Sequence, residues 1–198
     1  MSRFGHLTNN LYIKNQMKIL IPDYPGSQIL EGIRSLSRKN LSVDLAWNLN
    51  PILRVLRNSN CINDYYNLST NSKIRWDLYS KEVLQLNNKN NYDAVIPFGL
   101  NSSYALSRFS KINNNIPTML PNFEDFKIAN NKLLTAKLAN SIGISTPKTF
   151  YNTKREDLKS ICKEIKFPMV VKSCTGTGVL NGIRYVFSMD QLISAWEE

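Results

Sequence analysis

The chain has 198 residues, of which 42% are hydrophobic, and a formal charge of +10 with a pI near 9.6. That apolar content excludes wholesale disorder, and the length allows one large domain or two small ones. The positive excess suits an anionic partner, but the lysines and arginines are scattered without a basic stripe among aromatics, which argues against nucleic acid.

The first sixteen residues read as a loose polar tail with one arginine and no apolar core, a poor signal peptide. "MKILIP", Met17 to Pro22, is a buried-strand pattern, and "DYPGSQ" follows as a turn. From Ser27 to Lys39, Ile29, Leu30, Ile33 and Leu36 fall at helical spacing. "LSVDLAW", Leu41 to Trp47, alternates like a strand, and Pro51 opens a short helix in "PILRVLR". Lys73 to Leu86 reads as a helix with Trp76, Tyr79, Val83 and Leu86 on one face. "YDAVIPFG", Tyr92 to Gly99, is another strand, Asn101 to Phe109 a helix, and "IPTML", Ile116 to Leu120, a last short strand. Strands alternating with helices at these lengths predict an α/β fold with an open, mostly parallel sheet.

Beyond Pro121 the texture changes. Asn122 can cap one helix, with Glu124 and Asp125 in its opening turn where negative charge is favoured. Asn130 or Asn131 can cap a second helix whose buried stripe is Leu134, Leu138 and Ile142. Gly143 suits its left-handed terminator, and Pro147 prevents a restart. "TKRE" (Thr153 to Glu156) and "SMDQ" (Ser188 to Gln191) carry capping-box spacing and open two further helices. Between those helices lies strand, loop, strand. The expected organisation is a tail over 1–16, an α/β domain over 17–121, and a second unit over 122–198 with an antiparallel hairpin.

Several chemistries are disfavoured. His6 is the only histidine, and Cys61, Cys162 and Cys174 are far apart without CxxC spacing. The single histidine excludes a His-pair metal site and argues against a Ser-His-Asp triad, and the cysteine number and spacing suggest neither a zinc site nor a disulfide framework. No apolar run reaches about 18 residues, so no membrane span is expected, and the reading is of a cytoplasmic protein.

The informative stretch is "FPMVVKSCTGTGVLNGIRYV", Phe167 to Val186. A Walker loop needs its lysine after the glycines at a helix start. Here Lys172 precedes Gly176, Gly178 and Gly182. The spacing G-T-G-V-L-N-G is one residue too long for a dinucleotide fingerprint, and "IRYVF" after it is β-like. What remains is a hairpin whose tip can donate backbone N–H groups to phosphate; an ordinary hairpin with a solvated lysine is the plain alternative. Alternation puts Lys172 on the same face as Val170, and if that face is covered the ammonium needs an anion. Lys132 sits in the first turn of its helix, where the dipole disfavours a cation unless an anion is bound.

Together "NKLLTAKLANSIGISTPKTF", "FPMVVKSCTGTG", "GIRYV" and "DQLISAW" resemble the ATP-grasp superfamily, and the α/β region before them resembles the pre-ATP-grasp domain of its carboxylate–amine ligases and carbamoyl-phosphate-synthase-like members. The resemblance covers Met17 to Glu198. It implies a pre-ATP-grasp Rossmann-like parallel sheet followed by the first α+β half of an ATP-grasp domain. It further implies ATP contacts from Lys132, Lys172, Gly176, Thr177, Gly178 and Gly182. The implied activity is activation of a small carboxylate as an acyl phosphate, for attack by an amine or another nucleophile. Substrate-side loops would be those at strand carboxyl ends, with Asp23, Gly26, Ser27, Gly99 and Asn101. In the family, the adenine hinge and the Mg²⁺ ligands come from a second half that would follow Glu198. The chain therefore reads as a fragment, or as one completed by a partner chain. No catalytic residue or metal ligand is assigned. The competing readings are a non-catalytic nucleotide-binding or regulatory half-domain and a basic RNA-binding α/β protein.

Overall fold

The computed structural model describes residues 16–48, 59–151, 164–175 and 183–197. The expected helix after Pro51, the helix opened by Thr153 and the glycine loop fall outside these residues. The chain divides into two compact units, Met1–Asn122 and Phe123–Glu198.

The first unit is built on a four-stranded sheet. Its strands are β1 (Lys18–Ile21), β2 (Ser42–Trp47), β3 (Tyr65–Asn67) and β4 (Ala94–Val95), in the order β3-β2-β1-β4. All three pairings are parallel, with Ile19 opposite Val43 and Ala94, and Leu45 opposite Tyr65. Helices α1 (Ser27–Arg38), α2 (Trp76–Asn90) and α3 (Leu100–Ser110) connect or follow the strands.

The period-two alternation of β1 and β2 divides their side chains between two cores. Ile19, Ile21, Val43 and Leu45 pack with Ile33 of α1. Leu20 and Ala46 pack with Tyr79 and Val83 of α2 and with Ala105, Leu106 and Phe109 of α3. Both faces are thus covered, as a parallel sheet requires. The one polar intruder on the second face, Asp44, is buried and satisfied. Tyr92 Oη donates to it at 2.7 Å and Asn63 Nδ2 at 2.9 Å.

Two expectations need correction. Ile116 to Leu120 is not a strand. Val95 N–H does donate to Pro117 O at 2.9 Å, but Pro117 has no N–H with which to continue a ladder. The fourth strand is instead β3, which is too short to show any periodicity in sequence.

In the second unit, α4 (Phe123–Asn130) carries Glu124 and Asp125 in its first turn. Helix α5 (Lys132–Ser141) starts after Asn131, whose side chain accepts from the N–H groups of Leu133 and Leu134. It ends in a Schellman motif: Gly143 has φ +80°, its N–H donates to Asn140 O, and Ile144 N–H donates to Ala139 O. Strands β5 (Met169–Lys172) and β6 (Ile183–Val186) form an antiparallel pair, followed by α6 (Met189–Glu197). Gln191 Oε1 accepts from Phe187 N–H at 2.8 Å and Gln191 N–H donates to Ser188 Oγ at 3.3 Å, so the second capping box forms with its reach-back displaced by one residue.

The expected buried stripe on α5 is not buried. Leu138 and Ile142 are 48% and 64% exposed. An amphipathic pattern shows that a face is apolar; it does not supply the partner that would cover it.

Candidate functional site

Two places collect the candidate residues, one in each unit. In the first unit the chain runs outward from β1 to β2 to β3, then returns to place β4 on the other side of β1. The switch point therefore lies between β1 and β4, and the loops after those strands diverge to opposite faces of the sheet. Open α/β sheets bind ligands in the crevice this creates.

A cleft of about 290 Å³ occupies that position. It is lined by Asp23, Tyr24, Gly26, Ser27, Gln28 and Ile29 after β1, by Phe98, Gly99, Leu100 and Asn101 after β4, and by Trp47 and Ser72. All five residues assigned to substrate-side loops, Asp23, Gly26, Ser27, Gly99 and Asn101, are among them. Sequence reasoning missed Trp47 and Ser72. Trp47 ends β2 at the same edge of the sheet, so the strand-end rule applied to all strands finds it. Ser72 lies in an irregular turn with no signal of its own.

Asp23 serves the cleft indirectly. It is 4% exposed, and its Oδ2 accepts from the N–H groups of Phe98 at 2.6 Å and Gly99 at 2.9 Å. One carboxylate oxygen thus fastens the loop after β4 to the end of β1. Burial pushes its carboxyl above the ordinary value, against the pull of hydrogen bonds from Ser102, Gly99 and Phe98. Gly99 is required by this packing: a Cβ there would lie 2.6 Å from Asp23 Oδ1. Beneath, Tyr79 Oη donates to Pro22 O, and burial beside Asp23 drives the phenol well above its ordinary pKa. The rim is aromatic. Tyr24 and Trp47 meet edge to face with centroids 5.8 Å apart, and Phe98 is 44% exposed.

The second place is the edge of the second unit where β5 ends. Lys132 N–H donates to Cys174 O at 2.8 Å. This ties the first residue of α5 to the chain two residues past Lys172, so the two lysine-bearing positions sit at one edge. The first turn of α5 is thereby closed: Cys174 O takes the Lys132 N–H, and Asn131 Oδ1 takes those of Leu133 and Leu134. Lys172 is exposed and Lys132 half-buried.

The expectation that Lys172 could lie on a covered face is corrected. Met169 and Val171 face the small core formed by Val186 and Leu192. Lys172 shares the opposite face with Val170, Ile183 and Tyr185, which are 48%, 41% and 71% exposed. Desolvation therefore does not compel an anion at Lys172. Gly176, Thr177, Gly178 and Gly182 lie outside the described residues.

No family model and no curated protein matches the sequence. Solved structures do match. The biotin carboxylase domain of Hydrogenobacter thermophilus 2-oxoglutarate carboxylase, in complex with MgADP, ADP and bicarbonate, aligns with a TM-score of 0.69 and 18% identity over 92% of this chain and 40% of that one. N5-carboxyaminoimidazole synthase from Aspergillus clavatus, in complex with ADP and 5-aminoimidazole ribonucleotide, aligns at 0.62 and 18% over 92% of this chain and 44% of that one. L-amino acid ligase from Bacillus licheniformis aligns at 0.60 and 18% over 91% of this chain and 41% of that one.

The fold is that of ATP-grasp enzymes. The chain spans about two-fifths of the first of these solved chains. Among the described residues there is no group of three or more His, Cys, Asp or Glu that could hold a metal ion. Among the described residues no helix is long and apolar enough to cross a membrane.

Proposed function

We propose that the chain is the ATP-binding portion of an ATP-grasp ligase. In this reading a carboxylate attacks the γ-phosphorus of ATP, ADP leaves, and an amine or other nucleophile then attacks the acyl carbon and displaces phosphate. Such chemistry needs positioning and neutralisation of phosphoryl charge more than covalent help from the protein. Lys132 and Lys172 would supply fixed positive charge to the phosphates. The backbone of the glycine loop would close over them, with Gly176, Thr177, Gly178 and Gly182 permitting close approach. The cleft at the switch point would hold the carboxylate substrate, and Mg²⁺ would be held by residues other than those described.

The observation that carries the reading is the 2.8 Å bond from Lys132 N–H to Cys174 O, which brings together two lysine positions 40 residues apart in the chain. The test reads the DNA downstream of the Glu198 codon and measures ATP affinity of the encoded protein and its variants. A continued frame, or an adjacent partner gene, with Lys172→Ala and Lys132→Ala each weakening ATP by about 10- to 150-fold while melting normally, is the expected result. Lys172→Arg should recover only part, because a planar fork does not replace a compact ammonium. Unchanged ATP affinity in a folded Lys172→Ala variant overturns the reading. A stop codon with no partner gene favours the non-catalytic module, and salt-sensitive RNA binding indifferent to ATP favours the RNA-binding protein.

A further inference from the structure

Phe98 is held at both ends where it meets the switch-point cleft. Its backbone N–H and that of Gly99 donate to the buried Asp23 carboxylate at 2.6 Å and 2.9 Å. The far edge of its ring rests on α1 at Gly32, where a Cβ would lie 2.6 Å from Phe98 Cζ and 2.7 Å from Cε1. Gly32 is interior to the helix, a place where glycine is destabilising relative to alanine. Room for the ring is what the missing side chain supplies. Gly99 is tied to the same arrangement, since a Cβ there would lie 2.6 Å from Asp23 Oδ1. Two glycines and one buried carboxylate thus fix a single phenyl ring.

That ring is not a core residue. Phe98 remains 44% exposed and lines the cleft. A ring clamped in this way and still open gives the fold little burial, but it gives a ligand a rigid wall. Tyr24 and Trp47 line the same cleft and meet edge to face. Aromatic walls differ from aliphatic ones in what they select. A leucine or isoleucine buries any apolar body of the right size. An aromatic ring has a negative face and a positive edge, so it favours a second ring, offset-stacked or edge-on. Having only two side-chain torsions, it also loses little freedom on contact. Such a wall separates planar from puckered bodies of equal size and equal charge.

We infer that Phe98 is the specificity-determining residue of the cleft, and that it selects a ligand bearing a planar ring. This rests on the reading of the cleft as the carboxylate-substrate site and narrows that substrate to ring-bearing carboxylic acids.

The test titrates the 198-residue chain with benzoate and, separately, with cyclohexanecarboxylate, and follows assigned backbone amides by NMR. The two acids carry the same charge and the same number of non-hydrogen atoms, so the ratio of their affinities reads the ring alone. Benzoate should shift the amides of Gly99 and Asn101 and bind about threefold to tenfold more tightly than its saturated counterpart. Phe98→Leu should abolish that preference, and Phe98→Tyr should keep it. Gly32→Ala is the decisive variant, because Gly32 is not among the residues lining the cleft. Its new Cβ displaces the tip of the Phe98 ring, and alanine suits the helix. The variant should therefore melt like the parent yet lose the preference. Absence of benzoate-induced shifts at Gly99 and Asn101 overturns the inference. So does equal or tighter binding of cyclohexanecarboxylate, or a preference that survives in folded Phe98→Leu or folded Gly32→Ala. The outcome is separable from the ATP reading: Lys172→Ala should leave the benzoate preference unchanged whether or not it alters ATP affinity.

Discussion

The two units bury their apolar residues to very different extents. The first closes on itself. Leu20, Ile21, Ile33, Val43, Leu45, Tyr79, Val83, Val95 and Leu106 are all at or below 1% exposure, shared between the two faces of one sheet. Among the described residues, the second has a core of Val186 and Leu192, with Phe123 and Phe126 at the edge of burial. Its strand pair is covered on one face by α6, while Val170, Ile183, Tyr185 and Phe187 remain exposed. Both units have well-formed caps, turns and alternation. Local sequence signals therefore do not distinguish a self-sufficient core from an incomplete one; the number of covered sheet faces does. A two-stranded ribbon is marginal unless it packs against a helix, here α6, whereas each fully buried Leu or Ile contributes about 1.5–3 kcal/mol.

The largest effects should come from the closed core. Leu20→Ala should destabilise the first unit by about 3–5 kcal/mol, because rigid neighbours on one sheet face cannot collapse into the cavity. Leu192→Ala should cost about 2 kcal/mol and affect only the second unit, whose open face can relax. Urea unfolding followed separately by probes in each unit checks this, and equal losses would remove the distinction between them. Next in size is a backbone effect in the second unit. Gly143→Ala should cost about 1 kcal/mol through its φ of +80°. Nothing lies within 4 Å of the added Cβ, so a loss measured by urea unfolding would be conformational in origin.

A smaller, pH-dependent effect should belong to the first unit. The folded chain holds the Asp23 proton more tightly than an ordinary carboxyl at 3.8 does. The contribution of the protonated form is therefore complete below 3.8 and is lost as pH rises through the raised value. Asp23→Asn has no such titration. The stability of the parent relative to this variant should fall as pH climbs above 3.8, and chemical unfolding across the acid range measures it; a rise would mean that hydrogen bonds, not burial, control the group.

The smallest effects should be the surface pairs, alike in both units. Arg75 holds the Asp77 carboxyl down to about 2, and Lys148 holds that of Glu164 below its ordinary value. Both pairs are exposed and worth little. Arg75→Ala should return Asp77 toward 3.8 in an NMR titration while the melting temperature stays put.

Most of this architecture was legible in the order of residues. The apolar alternation of "KILI" and "VDLAW" specified two strands with two buried faces. The spacing of Tyr79 and Val83 specified the helix face that meets them. Asn130 or Asn131 and Gly143 marked the ends of α5 to within a residue, because caps and left-handed terminators are local chemistry. The loops at the strand carboxyl ends were also readable, and Asp23, Gly26, Ser27, Gly99 and Asn101 line one cleft. Other features could not be read. β3 is three residues of "YYN", too short for a period, and Pro117 disguised a single-bond segment as a strand. Ser72 reaches the cleft from an irregular turn with no signal of its own, and Trp47 is found only when the strand-end rule is applied to every strand. The open face under Lys172 was equally invisible, since alternation separates two faces of a strand without saying which one is covered. Local hydrogen-bonding and backbone constraints act over a few residues and are written in sequence. Strand order, the switch point between β1 and β4, and the choice of which apolar face is buried depend on contacts between residues far apart in the chain, and the tertiary structure alone decides them.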